Sequence, residues 1–278
     1  MDLSNDIAAR GARFRELHAG PGLFVIPNPW DAGTAKLLTS LGFAALATTS
    51  AGLAHAWGRP DGQGAVSRDE TLANARDIIA ATHLPVAADL ENGFAHSAEG
   101  VAETIRLAGE AGLVGGSIED ATGEDDQPIY DFNQAVERVA AGAEAAHALP
   151  LPFVFAARAE NFLHERRDLD DTIRRLQAFE AVGADLLYAP GLPDLEAIRT
   201  VCAAVTKPVN VLIGGSGPAF SLTELAEAGV RRVSLGSALS RAALGAVNAA
   251  ARELLDTGTT SFAKSALPYA EAQRLMSD

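Results

Sequence analysis

Apolar runs of strand length recur along the chain at 24–29, 43–50, 84–91, 112–119, 152–159, 184–190, 208–213 and 231–236. Longer stretches between them carry apolar residues at three- and four-residue spacing, the period of a helix with one buried face. The runs are near-continuously apolar rather than alternating, which predicts strands covered on both faces, as in a parallel sheet between helices. Gly42, Gly112, Gly183 and Gly229 each stand where a helical stretch gives way to the next run. Glycine suits that place because a helix end commonly needs a left-handed residue. Eight strand-helix units in series predict an α/β fold, a (β/α)8 barrel of the TIM type. An open doubly wound sheet is the alternative, but Pro27-Asn28-Pro29-Trp30-Asp31 follows the first run where a Gly-rich dinucleotide fingerprint would stand.

No linker, charge block or low-complexity segment divides the sequence, so residues 1–278 are expected to form a single domain, with the barrel at about 20–245 and a helical extension at about 246–278. Ser237 to Gly258 reads as one helix, and Ser261 to the end as another with Pro268 near its start or at a kink. That is more helix than one closing barrel unit requires. The surplus apolar face predicts docking on a second subunit or a lid over the barrel's own floor.

Charge narrows the range of partners. A net charge of −14 and a pI near 4.8 oppose binding to nucleic acid or to an anionic membrane surface, so neither is expected as a partner. Cys202 is the only cysteine, which excludes an intramolecular disulfide and a cysteine-based zinc site. The N-terminus is polar and acidic, without an apolar core for export, and no segment has the unbroken apolar length of a membrane span. A cytoplasmic location is expected.

Candidate chemistry lies at the ends of the strand-like runs, which converge on one mouth in a parallel barrel. Asp89 and Glu91 close the third run, Glu119 and Asp120 the fourth, and Asp61 follows the second. Hard carboxylate oxygens in such a set suit a divalent ion; helix capping is the bland role for any single one of them. Asp120 is the weakest member and is expected to face solvent. Arg158 closes the fifth run and can bind a carboxylate in bidentate fashion, or pair internally with Glu160 or Glu119. Small residues, Thr49-Ser50-Ala51-Gly52, end the second run and can admit a ligand to backbone amides. The Gly214-Gly215-Ser216-Gly217 and Gly236-Ser237 turns offer a weaker phosphate cradle, since neither contains a Lys or Arg, and Arg231 and Arg232 precede the eighth run at the opposite mouth. No pair of histidines has metal-site spacing; His55 and His96 lie near mouth loops.

In this order the motifs Pro29-Trp30-Asp31-Ala32, Thr49-Ser50-Ala51-Gly52, Gly58-Arg59-Pro60-Asp61-Gly62, Ala88-Asp89-Leu90-Glu91-Asn92-Gly93, Ser117-Ile118-Glu119-Asp120, Ala157-Arg158-Ala159-Glu160 and Gly229 to Ser234 resemble the isocitrate lyase and phosphoenolpyruvate mutase superfamily. The resemblance implies a (β/α)8 barrel, Mg2+ (with Mn2+ as the alternative ion), and C–C or P–C bond chemistry beside a 2-oxo acid. It also implies a homodimer that exchanges a C-terminal helix, or a homotetramer of such pairs. By the same resemblance Asp89, Glu91 and Glu119 are the metal ligands. Trp30, Ser50, Ala51, Gly52, Asp89, Arg158 and Asn210 hold substrate, with Asn210 or Ser216 orienting its distal end. Asp61, Arg158 and Tyr130 are the catalytic candidates, Tyr130 or water carrying the proton.

Three departures bear on the reaction. The loop from Ala121 to Tyr130 has no Cys, Lys or His, where the lyases carry an acid/base cysteine. Glu91 replaces an Asp, and Pro190 stands where the lyases have Glu and the mutases His. The loop's acidity opposes a phosphonyl group by like-charge repulsion. The expected activity is therefore a Mg2+-dependent lyase that cleaves a C–C bond beside the carboxylate of a small 2-oxo or 2-hydroxy acid through an enolate, like an isocitrate or methylisocitrate lyase or an oxaloacetate decarboxylase. A phosphonopyruvate hydrolase or mutase at a P–C bond and a non-catalytic 2-oxo-acid-binding barrel are the alternatives.

Overall fold

The computed structural model describes residues 3–277 apart from 216 and 218. Its elements in chain order are α1 (Leu3–Ala19), β1 (Phe24–Ile26), α2 (Ala32–Ser40), β2 (Leu46–Ala47), α3 (Ser50–Ala56), α4 (Arg68–Ala80), β3 (Val86–Asp89), α5 (Ala98–Glu110), β4 (Gly115–Glu119) and α6 (Phe132–His147). They continue as β5 (Val154–Arg158), α7 (Leu169–Ala181), β6 (Leu186–Tyr188), α8 (Leu195–Ala204), β7 (Val209–Leu212), α9 (Leu222–Glu227), β8 (Arg232–Ser234), α10 (Ala238–Thr257) and α11 (Tyr269–Ser277). Every predicted strand-like run contains one of the eight strands, and all pair in parallel in the order β1-β8-β7-β6-β5-β4-β3-β2. The fold is a (β/α)8 TIM-type barrel.

The seam between β1 and β2 is closed by side chain as well as backbone. The Ala47 amide donates to the Pro27 carbonyl at 3.1 Å. Asn28 donates to the Thr48 carbonyl at 3.0 Å, and its Oδ1 accepts from the Leu235 and Gly236 amides at 2.9 and 3.0 Å. Pro27 and Pro29 have no N–H to give, so Asn28 joins β1 to both neighbours where the ladder runs out.

Two apolar layers hold the barrel. Outward residues such as Val86, Ile118, Phe155, Leu187 and Val233 pack against the helices. Inward residues at the lower end, Ile26, Ala87, Val154, Ala156 and Leu186, pack with Phe14 of α1. The amphipathic α1 is therefore the plug of the barrel floor. Arg231 secures its end by donating to the carbonyls of Leu17, His18 and Gly22. The surplus C-terminal helix predicted from the sequence divides as expected: α10 ends at left-handed Gly258, and α11 begins just after Pro268. The domain boundary expected near 245 falls within α10. In the described chain α11 lies against α2, with Lys36 Nζ donating to the Met276 carbonyl at 2.9 Å.

Strand tilt sets the depth of each inward residue. One row of paired residues runs Glu119, Arg158, Tyr188, Asn210, Arg232, Phe24. It starts at the C-terminal end of β4 and finishes at the N-terminal end of β1, so it descends from the mouth to the floor. Five of its six members are polar or bear a hydroxyl, and they form the inner wall under the mouth.

Candidate active site

Asp89 and Arg158 occupy the centre of the mouth. The β3 end turns sharply after Asp89: Glu91 and Phe94 have φ of 47° and 55°, and Gly93 has 81°. Left-handed backbone at a Glu and a Phe is strained, and such strain persists where surrounding structure enforces it. Here Asp89 Oδ1 accepts from the Glu91 amide at 3.3 Å, and Asn92 Oδ1 accepts from Phe94 at 3.0 Å. The Asp89 amide donates to Thr48 Oγ1 at 3.1 Å, and Ser50 Oγ donates to Asp89 Oδ2 at 3.1 Å.

Arg158 reaches three acids at once. Its Nη1 is 3.1 Å from Asp89 Oδ1, Nη2 is 3.1 Å from Glu119 Oε2, and Nε is 2.8 Å from Glu160 Oε1. The guanidinium carbon lies 4.9 Å from the Tyr188 ring centre. The internal pairing with Glu160 and Glu119 weighed from sequence is thus present, and Asp89 joins it. Burial by itself would lower the guanidinium's pKa, but Glu160, Glu119 and Asp89 outweigh it and raise it well above the ordinary value.

The surrounding acids are held above their ordinary range. Burial, then the Asp89 and Asp61 charges, push Glu91 up to about 7. Burial raises Glu119 well above a free carboxylate despite Arg158, with Glu160, Asp89 and Glu91 adding repulsion. Asp61 lies on an open loop; partial burial of its carboxyl and the Asp89 charge raise it, and the Ser50 hydroxyl offsets part of that. Ser50 therefore stands between Asp89 and Asp61. Crowded acids with raised pKa values mark a place where a cation is favourable.

Two spaces have Arg158 in their walls. A cavity of about 850 Å³ is lined by Ser50, Asp61, Glu91, Glu119, Arg158 and His96, among others. Beneath it a small interior space of about 50 Å³ is bounded by Thr48, Asp89, Ser117, Tyr188, Arg232 and Ser234. The inner space has room for roughly four water-sized positions.

The predicted residues do not all reach these spaces. Ser50, Ala51 and Gly52 are the first turn of α3 rather than a turn of their own, and the Gly52 amide is taken by Thr49 Oγ1 at 3.2 Å. Trp30 is half-buried, its carbonyl accepting from Asn74 and its Cβ close to Gly52. Asp31 caps α2. Asn210 is fully buried, donating to Ser234 Oγ at 2.9 Å and accepting from Arg232 Nε at 2.8 Å. Tyr130 is buried with its hydroxyl 2.8 Å from His96 Nδ1, behind the cavity wall rather than on it. Ser216 lies outside the described residues.

Asp120 is corrected: it is 2% exposed, not solvent-facing. It accepts from the Glu160 amide at 2.8 Å and from Arg175 Nη1 at 3.0 Å. The carboxylate turns under the β5 end because an amide and a guanidinium there both need an acceptor. Arg175 also donates to Tyr130 O at 3.0 Å and to Asp171 at 2.8 Å, locking the β4 and β5 loops together.

Arg232 stands at the floor end of β8, as its place in the sequence predicts, but its side chain turns inward and is buried inside the barrel. Its partners are neutral: Asn210 Oδ1, and His18 Nε2 at 3.4 Å from Nη1. His18 Nδ1 lies 2.7 Å from the Phe14 carbonyl, which can only accept, so Nδ1 carries the proton and Nε2 receives from Arg232. Burial and then Arg232 lower His18 to about 3, and burial lowers Arg232 to about 9. The sequence gives no comparable signal for Tyr188 and Asn28. Only inward register distinguishes them, and that register is fixed by strand tilt.

Residues 14–255 match the phosphoenolpyruvate phosphomutase family model. The chain is 30% identical to the 2-methylisocitrate lyase of Shewanella oneidensis, over 80% of this chain and 77% of that one. It is 28% identical to the oxaloacetate decarboxylase of Bradyrhizobium diazoefficiens, over 75% of this chain and 72% of the relative. A crystal structure of a Burkholderia cenocepacia J2315 protein of the lyase/mutase type superposes with a TM-score of 0.96 at 55% identity, covering 99% of this chain and 98% of that one. With a (β/α)8 barrel, acids gathered on the β3 and β4 ends around an arginine of β5, and this match over most of its length, the chain belongs to the phosphoenolpyruvate mutase family of the isocitrate lyase/phosphoenolpyruvate mutase superfamily.

Proposed function

We propose that the protein is a magnesium-dependent lyase that breaks a C–C bond beside the carboxylate of a small 2-oxo or 2-hydroxy acid through an enolate. The observation that carries this reading is the Arg158 guanidinium held among Asp89, Glu119 and Glu160 at the mouth, with neighbouring acids pushed toward protonation. Similarity to a methylisocitrate lyase and an oxaloacetate decarboxylase supports the same reaction class.

The donor set fits Mg2+. Among the described residues no three carboxylate or imidazole groups converge into a complete protein cage. Magnesium does not require one, since it takes one or two carboxylates and fills its other positions with waters and substrate oxygens. Asp89 would hold the ion, with Glu91 and Glu119, and Asp61 through Ser50, in support. A bound ion would compete with Arg158 for Asp89, leaving the guanidinium free to turn toward a substrate carboxylate. The ion, when bound, supplies charge stabilisation for a developing oxyanion. The Ser50 and Ala51 amides that open α3 would provide further donors beside it, the Gly52 amide being taken by Thr49.

The oligomer belongs to this reading as well. Leu244, Val247, Leu254 and Leu255 form an exposed stripe on α10, with Leu255 85% exposed. A second copy covering this stripe, with exchange of α11 between the two, would make a homodimer, and two such pairs a homotetramer. No described helix is long and apolar enough to cross a membrane. A cytoplasmic, single-domain enzyme is the corresponding reading.

The test is turnover of oxaloacetate, isocitrate, 2-methylisocitrate, substituted malates and phosphonopyruvate, with Mg2+ and with EDTA. Release of a 2-oxo acid that needs Mg2+ and disappears in Asp89→Ala is expected. Phosphate release would move the protein to P–C chemistry. Tight oxalate binding with no turnover of any carboxylic acid would make it a 2-oxo-acid binder.

A further inference from the structure

An enolate released at this site needs a proton at carbon, and the acids at its centre are committed to Arg158 or to a cation. The cavity wall carries two imidazoles, His96 and His164. Only His96 has its ring held by another side chain: Nδ1 is 2.8 Å from the Tyr130 hydroxyl, with the rings edge to face at 72° and 6.0 Å. Nε2, the opposite nitrogen, is 3.7 Å from Glu124 of the strand-four loop. Both of those side chains are 61% exposed, so this ion pair is weak and leaves Nε2 accessible.

The support behind the ring is unusually firm for a loop residue. Tyr130 is 2% exposed; its amide donates to the Asp120 carbonyl at 2.8 Å and its carbonyl accepts from Arg175 at 3.0 Å. The Arg138 guanidinium stacks on the Tyr130 ring at 4.0 Å. Arg138 also donates to the carbonyls of Asn92 and Ala95, so it grips the backbone that presents His96. The same buried arginine fixes the tyrosine and the histidine's own loop.

We propose that His96 is the proton carrier for the bound oxo acid and that Tyr130 is its positioning residue. This rests on the oxo-acid reading above. In the forward direction protonated His96 gives the Nε2 proton to the terminal enolate carbon. The C=C π pair forms the new C–H bond, the oxygen's pair re-forms the carbonyl, and the ring is left neutral with Nδ1–H donating to the Tyr130 oxygen. In reverse, Nε2 takes a methyl proton of pyruvate, the C–H pair becomes the C=C bond, and the carbonyl π pair moves to oxygen. Solvent then exchanges the proton on Nε2.

Deuterium exchange of the pyruvate methyl group in D2O with Mg2+, followed by proton NMR, tests the assignment beside calorimetric binding of oxalate. The wild-type protein should exchange, and His96→Gln should lose roughly 10²-fold or more with oxalate affinity unchanged. Added imidazole should restore exchange to His96→Ala and not to Asp89→Ala, and Tyr130→Phe should slow exchange without weakening oxalate. Undiminished exchange in His96→Gln, or its loss in His164→Gln instead, overturns the assignment. So does a wild-type protein that binds oxalate and exchanges nothing. Failure to bind oxalate at all would instead overturn the oxo-acid reading itself.

Discussion

Arg158 does at one residue what the mouth requires of its charge. The chain is strongly acidic, and an anionic substrate entering a ring of acids meets repulsion unless a fixed cation stands there. Three directed contacts to Asp89, Glu119 and Glu160 use separate edges of the guanidinium plane, which an ammonium cannot reproduce. Arg158→Lys should therefore keep the charge and lose the geometry. Its kcat/KM on whichever acid is turned over should fall by roughly 10²-fold or more, measured beside an unchanged circular dichroism spectrum. Near-wild-type kinetics would show that Arg158 supplies only charge.

At the scale of elements, the site depends on the floor that carries it. Gly115 of β4 faces the barrel interior, where an added Cβ would lie 2.7 Å from Phe14 Cε1 of α1 and 3.0 Å from the Val154 carbonyl. The glycine is needed for this close approach, with α1 packed as a plug. Gly115→Val should destabilise the fold by about 1–3 kcal/mol through overpacking, read from the midpoint of chemical denaturation. A wild-type midpoint would mean that α1 gives way freely. Gly42, Gly112, Gly183 and Gly229, picked out in the sequence as helix-to-strand junctions, all have positive φ, from 86° to 108°. Those junctions were legible because one residue type answers a local backbone demand. The plug was not, because α1 is amphipathic like any surface helix, and only assembly of the barrel shows what its apolar face covers.

For the whole molecule, the acid cluster links stability to pH and to metal. Glu91 is pushed up to about 7 from an ordinary 4.5, and Asp61 and Glu119 are raised as well. A carboxylate whose folded pKa is raised binds its proton more tightly in the folded state. Its stabilisation is full below the unfolded pKa and is lost as pH rises through the folded one. Without metal, Tm should fall between about pH 4.5 and 7, Glu91 accounting for up to about 3 kcal/mol. Added Mg2+ should recover the loss most fully at the upper end, where the acids are ionised. A Tm that is flat or rises over this window in EDTA would contradict the clustered-acid picture. The assembly is checked separately: Val247→Glu with Leu255→Glu should shift light-scattering mass toward the monomer, whereas a monomeric wild-type protein would remove the oligomer from the reading.

The sequence by itself determined the strand-helix repeat, the parallel barrel and the family, because near-continuous apolar runs, junction glycines and ordered acidic motifs are local signals. It also placed Asp89, Glu91, Glu119 and Arg158 at one mouth, since strand ends in a parallel barrel must converge. Tertiary structure decided what those groups do to one another. Strand tilt set the descending row from Glu119 to Arg232, so an arginine at the floor end of its strand turns into the barrel against neutral partners. Asp120 is adjacent to Glu119 in sequence yet points into a buried pairing with Arg175, and His96 meets Tyr130 across 34 positions. Depth, side-chain direction and non-local pairing arise from closure of the sheet, and no periodicity along the chain encodes them.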